Sequence, residues 1–252
     1  MRLDQYLTEK GIFETRTKAK QSIERGEIFI NGKCISKVSF QINEFVNYKV
    51  ERICENSFVS IGGFKLQKAL VDFNFSPKDL IVADIGASTG GFTDCLLING
   101  AKKVYAVDLN DQLLHDKLQN DNRVVSIIKN ARELSSNDFN EKLDLIVADL
   151  SFISVTCVLE TFSNLLSNNA KLIILIKPQF ENGEKKKFKN GIIKDEKIQL
   201  NVCNEVYDYA LQFGLVPQKF TIAPIVEGKN VEFLMMFEKN GAKKLMKNQI
   251  VF

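Results

Sequence analysis

Apolar and polar positions along this chain change their spacing near residue 59. Before it, apolar residues mark short amphipathic pieces. Leu3, Tyr6 and Leu7 make one helical face, Gly11 marks a turn, and Thr15 stands where a helix over residues 16–24 would be capped. Residues 26–32 read as a strand closing on an Asn31-Gly32 turn, a strong hairpin signal. Strands over 42–48 and 49–53 would complete a small sheet. Beyond residue 59, short and continuously apolar strands alternate with helices. The pattern predicts helix 65–74, strand 80–85, helix 91–99, strand 103–107, helix 111–119 and strand 124–128. Strand 143–148, helix 155–166, strand 171–176 and helix 195–213 follow. Such alternation belongs to buried parallel strands with helical crossovers. Strands 216–223 and 231–237 flank a turn at 228–230 with no helix between them, which predicts an antiparallel hairpin at one edge. Two units result, 1–58 and 59–240, with residues 241–252 expected as a frayed tail.

Composition changes this picture little. The 252 residues are 45% hydrophobic and 26% charged, ordinary for a soluble globular protein, and the net charge of +3 is only mildly basic. No apolar run approaches the roughly 18–20 residues needed to span a bilayer, and the first residues lack the apolar core of a signal peptide. The five cysteines show no C-x-x-C spacing, so neither a disulfide framework nor a metal site is expected and a cytoplasmic setting is the simplest. The lone His115 lies in a polar helical stretch, an unpromising place for catalysis.

Chemistry enters with residues 81–95, IVADIGASTGGFTDC. Strand, tight glycine turn and helix bring backbone N–H groups close to a ligand at a sheet's carboxyl edge. The turn is G-x-S-x-G-G, not the G-x-G-x-x-G of dinucleotide sites, and Asp84 stands two residues ahead of its first glycine. That variant suits a cofactor without a pyrophosphate but with an amino-acid end, as S-adenosyl-L-methionine has. The candidate cofactor residues are Asp84, Gly86, Ala87, Ser88, Gly90, Gly91, Asp108 and Asn130. Asp84 could hold the amino-acid end directly or through water, Asp108 the ribose hydroxyls, and Asn130 the adenine edge. An NAD site would need a more typical fingerprint and a substrate acid/base pair, and neither is found. No G-K-[ST] follows the glycines, so a P-loop is excluded.

Three further segments end strands where open α/β sheets place ligands: ADLSFIS (148–154), KPQFE (177–181) and Glu232 in NVEF. A lysine ending an apolar strand is unusual, and one poised between burial and a carboxylate could serve as a base near neutral pH. In the first unit, Arg2, Arg16, Lys18, Lys20 and Arg25 lie on or beside the two short helices and could meet RNA phosphates. Interleaved glutamates make a merely solvated surface equally consistent. The lysine-rich stretch 183–189 could contact phosphates, close over a substrate, or simply be solvated.

Two resemblances sharpen this. R-L-D-x-x-L, G-x-x-x-T-R-x-x-A and I-x-x-G-x-I-x-I-N-G, over about 35 residues, resemble the S4 RNA-binding module. The rest of the chain resembles the TlyA (haemolysin A-type) family of ribosomal RNA 2′-O-methyltransferases, which joins an S4 module to an FtsJ-like domain. That resemblance implies a Rossmann-like class I methyltransferase sheet, mostly parallel, behind a small α+β S4 domain. It implies S-adenosylmethionine as cofactor and ribosomal RNA, within a ribosomal subunit, as partner. It implies a catalytic tetrad of Lys65, Asp149, Lys177 and Glu232, with Lys177 as base, Asp149 orienting it, and Lys65 and Glu232 positioning the hydroxyl. A cytidine in 23S rRNA is favoured, with 16S possible, and a monomer is expected. Two departures stand out: Ser60-Ile61-Gly62-Gly63 where S-R-G-G is expected, and residues 226–230 (VEGKN) where G-P-x-G-N is expected. A non-catalytic ribosome-assembly factor and a membrane-active haemolysin are the rival readings.

Overall fold

The computed structural model describes the chain apart from residues 25–27, 32, 36, 44–45, 53–57, 111–112, 182–190, 227 and 251–252. The predicted Arg25 and the lysine-rich stretch 183–189 therefore lie outside the described residues, as does most of the segment joining the two units.

At the amino end, α1 (Leu3–Glu9) and α2 (Arg16–Glu24) pack on a three-stranded antiparallel sheet. Its strands are β1 (Ile28–Ile30), β2 (Lys33–Cys34) and β3 (Val50–Arg52), in the order β2-β1-β3. Leu3, Leu7, Ile23, Ile28 and Ile35 form its small core. Thr15 caps α2 as its sequence position suggests, its Oγ1 accepting from Lys18 N at 3.2 Å. The expected strand 42–48 does not form in its described part. Ile42 instead turns into the core and donates its N–H to Met1 O, and of the two strands expected there Val50–Arg52 is the one that pairs with β1.

The second unit is a seven-stranded sheet with helices on both faces. Its elements in chain order are α3 (Gly62–Asp72), β4 (Ile81–Ile85), α4 (Gly91–Ile98), β5 (Lys103–Asp108), α5 (Asp116–Gln119), β6 (Val124–Ile128), β7 (Leu143–Ala148), α6 (Leu159–Leu165), β8 (Leu166–Ile176), α7 (Pro178–Glu181), α8 (Glu196–Leu211), β9 (Leu215–Ile222) and β10 (Phe233–Lys239). The order is β6-β5-β4-β7-β8-β10-β9, with β10 antiparallel to both neighbours and the rest parallel. The central strands β4, β5 and β7 and the second half of β8 are largely buried on both faces, which explains why they read as nearly unbroken apolar runs.

Three elements differ from the sequence reading. Of the helix expected over 111–119, the described part is helical at Asp116–Gln119, because His115 takes an extended backbone and caps it, Nδ1 accepting from Lys117 N. Strand β8 begins at Leu166, five residues early. Asn169 sits in the left-handed region (φ 68°) and the register to β7 slips there, so a turn-like sequence is carried inside the strand as a bulge. The tail is not frayed in its described part. Leu245 N donates to Pro217 O, Tyr207 Oη donates to Leu245 O, and Ile250 is 2% exposed against the main core.

Candidate active site

Chain connectivity from β4 runs outward to β5 and then returns to β7 on β4's other side. A crevice opens where the carboxyl ends of β4 and β7 diverge, as such sheets require. Gly86 ends β4 there at φ 82°, and a Cβ on it would lie 2.6 Å from the backbone O of Asp149. Glycine thus lets the β4 turn pass against the β7 turn. Beyond it, a Cβ on Gly91 would meet Ser60 Oγ at 2.2 Å and Gly63 N at 2.9 Å, so this glycine brings the starts of α3 and α4 together.

Antiparallel pairing of β10 explains the second convergence. Phe233 stands opposite Ile176, so the residue before β10 and the residue after β8 meet at one sheet edge. Those residues are Glu232 and Lys177. Asp149 follows β7 beside them, and Lys65 arrives on the first turn of α3. The four charges form one chain of contacts. Lys65 Nζ lies 2.6 Å from Glu232 Oε2 and 3.9 Å from Asp149 Oδ2, and Lys177 Nζ lies 2.6 Å from Asp149 Oδ1. All four side chains are at most 20% exposed. Two cations against two anions make the cluster formally neutral, the condition under which charge is tolerated in so little water. Burial alone disfavours the Lys65 ammonium. The carboxylates of Asp149 and Glu232 outweigh it and hold its pKa above the ordinary lysine range.

Two clefts adjoin this cluster. A cleft of about 390 Å³ runs past Gly86, Ser88, Asp108, Asn130, Leu150 and Phe152. A narrower one of about 180 Å³ is lined by Lys65, Lys177, Gly62 and Gly91, and both share Gly86, Ser88, Asp149 and Ser151. The larger has the size and mixed lining of a small-ligand site. Asp108 is fixed in it by Ser88 N to Oδ2 (2.8 Å) and Leu109 N to Oδ1 (2.7 Å), so its carboxylate is oriented before any ligand arrives. Leu109, Leu113 and Phe152 supply exposed apolar surface, and Asn130 commits its Oδ1 to Arg132 N. An adenosyl group with ribose hydroxyls toward Asp108 fits this donor set. Ala87 and Gly91 line the narrower cleft instead.

Asp84 and Gly90 line neither cleft. A Cβ on Gly90 would strike Leu118 at 2.2 Å, so it serves packing of α5. Asp84 is fully buried, with Oδ2 accepting from Thr93 Oγ1 at 2.7 Å and Oδ1 unpartnered among the described residues. Burial, reinforced by repulsion from Asp149 and Asp108 and opposed by the Thr93 hydrogen bonds, pushes its carboxyl up to about 7. It lies beneath the glycine turn, so direct contact with an amino-acid end is not how the structure disposes it.

Sequence reading assigned no role to Ser151 or Phe152. Lys177 Nζ donates to Ser151 Oγ at 2.9 Å. Phe152 is 83% exposed with φ 70° and lies 5.4 Å from the Phe180 ring. A left-handed phenylalanine carries no sequence signal, because bulky residues seldom adopt that region. Glu181 ties α7 to the loop after β7 by accepting from Ser154 Oγ and from Val155 N.

On the amino-terminal unit, the basic residues are exposed but partnered. Arg2 and Arg16 both grip the buried Asp4, at 2.9 and 2.7 Å, and their guanidinium groups overcome its burial to hold its carboxyl below the usual range. Lys18 pairs with Glu14, and Lys20 with Glu24 at 3.8 Å. The two departures noted in the sequence meet in space: Ile61 and Val226 both pack against Phe29 of β1, and Phe29 also meets Phe64 edge-on at 6.3 Å.

Comparison with known proteins places these features. The FtsJ-like methyltransferase model matches residues 58–239 and the S4 domain model residues 1–45. Hemolysin A of Brachyspira hyodysenteriae is 41% identical over 240 residues, covering 94% of this chain and 99% of that protein. The 16S/23S rRNA (cytidine-2′-O)-methyltransferase TlyA of Mycobacterium tuberculosis is 36% identical, covering 84% of this chain and 80% of that one. The 23S rRNA (cytidine-2′-O)-methyltransferase TlyA of Campylobacter jejuni is 31% identical, covering 95% of this chain and all of that one. Among the described residues no helix is long and apolar enough to cross a membrane.

Proposed function

The chain belongs to the TlyA-type FtsJ-like methyltransferases, with an S4 domain at its amino end, and from that premise we propose that it methylates a ribose 2′-hydroxyl of ribosomal RNA using S-adenosyl-L-methionine. The observation that carries this reading is the convergence of Lys65, Asp149, Lys177 and Glu232 beside the glycine-turn cleft. Asp108 would hold the adenosyl ribose and the turn from Gly86 to Ser88 would lie along the cofactor. S-adenosylmethionine supplies a methyl carbon on a sulfonium, whose sulfur leaves as a neutral thioether.

The two lysines have different work. Lys65 is held charged by two carboxylates, so it donates to the ribose oxygen and, with Glu232, orients it. Lys177, with Asp149 as its carboxylate neighbour, accepts the hydroxyl proton, and Asp149 at 2.6 Å compensates the ammonium that results. Much of the acceleration is positioning. Phe152 offers an exposed ring beside Lys177's cleft on which an unstacked target base can lie, the usual way single bases are held by RNA-binding proteins. Arg2, Arg16, Lys18 and Lys20 are about half exposed or more even while paired, and would meet RNA phosphates. The target favoured is a cytidine of 23S rRNA, which the names of both TlyA relatives share, with 16S rRNA as the second possibility. Such work belongs in the cytoplasm, with the ribosome.

Radiolabelled S-adenosylmethionine and undermethylated ribosomal subunits test the reading. Wild type should place label on one ribose, and Lys177→Ala should lose about 10³-fold or more of that rate. Label on a base, or equal incorporation by the variant, would overturn it.

A further inference from the structure

A lysine can act as a base only through its lone pair, and rotation about the Cε–Nζ bond decides where that lone pair points. Neutral Lys177 carries two N–H groups and one lone pair on Nζ. Asp149 Oδ1 lies 2.6 Å from Nζ on one side. That single neighbour would leave the lone pair a choice of two staggered positions about the Cε–Nζ bond. Ser151 Oγ, 2.9 Å from Nζ, is a second acceptor in a different direction. The ion-pair contact on one side and the hydrogen bond to Ser151 on another together select one staggered rotation and leave the third tetrahedral position for the lone pair. The lysine stem is buried, with the whole residue 7% exposed, and Lys177, Ser151, Asp149 and Lys65 all line the narrower cleft. The position left over would serve this cleft, where Lys65, itself paired with Glu232, would hold a hydroxyl.

We propose that Ser151 is a positioning residue, fixing the rotation of the Lys177 amine so that its lone pair faces the attacking hydroxyl. The inference rests on the ribose-methylation reading above. In the step it serves, the hydroxyl O–H bond breaks and its proton passes to Lys177 Nζ. The electron pair stays on oxygen for the new bond to carbon, and the ammonium later returns its proton to water.

Ser151→Ala and Ser151→Thr test this in the full-length protein. Ser151→Ala should lower kcat for ribose labelling about 10- to 100-fold across pH 6 to 9, with KM for the ribosomal subunit and the cofactor dissociation constant changed less than about twofold. Ser151→Thr retains an acceptor hydroxyl and should stay within about threefold of wild type. A variant that merely altered the proportion of neutral amine would recover its rate at high pH, and that recovery would overturn the proposal, as would a rise in KM with kcat intact. A second readout needs no cofactor. With ¹⁵N-lysine, the Lys177 ammonium, assigned by its disappearance in Lys177→Arg, should exchange slowly in wild type and Ser151→Thr and rapidly in Ser151→Ala. Identical exchange in all three would remove the contact on which the proposal stands. Ribose label from wild type with full activity in Ser151→Ala would sink the role of Ser151 alone, whereas base label from wild type would sink the ribose reading itself.

Discussion

Asp84 gives the sharpest quantitative expectation. It is fully buried under the glycine turn, and its carboxyl sits at about 7 against an ordinary 3.8. Burial is the main cause, with Asp149 and Asp108 adding repulsion and Thr93 partly offsetting both. Between those values the unfolded chain has lost the proton while the folded one keeps it. Stability from this group is therefore complete below pH 4 and declines as pH rises through 7. The slope is about 1.36 kcal/mol per pH unit, so about three units amount to roughly 4 kcal/mol in all. Asp84→Asn keeps an oxygen for the Thr93 Oγ1 hydrogen bond and removes the titration. Urea unfolding of both proteins at pH 5, 6, 7 and 8 would measure it. Whatever fixed cost the buried amide brings, the variant should gain on wild type by about 2.3 kcal/mol between pH 5 and 7 and only a few tenths more above. A stability difference independent of pH would refute the reasoning, because it would mean that Asp84 is ionised in the folded protein throughout.

Two further expectations follow from packing. Gly86→Ala meets both a left-handed backbone and the Asp149 carbonyl at 2.6 Å. It should cost about 2–4 kcal/mol in chemical denaturation and weaken calorimetric binding of S-adenosylmethionine at least tenfold, since the same carbonyl belongs to a residue lining both clefts. Phe29→Ala empties the small apolar contact with Ile61 and Val226. It should lower stability by about 1–3 kcal/mol and split a single unfolding transition into two in calorimetry. An unchanged single transition would show that this contact does not couple the two units.

Why the elements were so largely legible lies in their burial. Strands covered on both faces are apolar at nearly every position, so residues 81–85, 103–108, 143–148 and 171–176 announce themselves without a partner in view. Thr15 and the Asn31 turn work through their own backbone neighbours, and these too can be read locally. His115 shows the limit. Its side chain accepts from Lys117 N and ends a helix that periodicity would have continued. The tail fails for another reason: Leu245 is held by Pro217 of β9 and Tyr207 of α8, dozens of residues away, and Ile250 is buried in the main core. Ile61 in place of arginine reads as a lost contact in one dimension, yet in three it is half of an apolar contact whose other half, Val226, replaces another expected residue.

By itself the sequence determined the alternation of strand and helix, the glycine turn, and which charged residues interrupt apolar strand ends. These are properties of single segments, set by backbone conformation and by side-chain transfer from water. Only the tertiary structure decided that Glu232 stands beside Lys65 and that Lys177 lies between Asp149 and Ser151, because an antiparallel β10 inserted next to β8 reverses the edge at which its first residue emerges. It likewise decided that Asp84 lies beneath the turn and not in the cleft, since the direction of a side chain at a strand end depends on what the neighbouring strands and helices leave open.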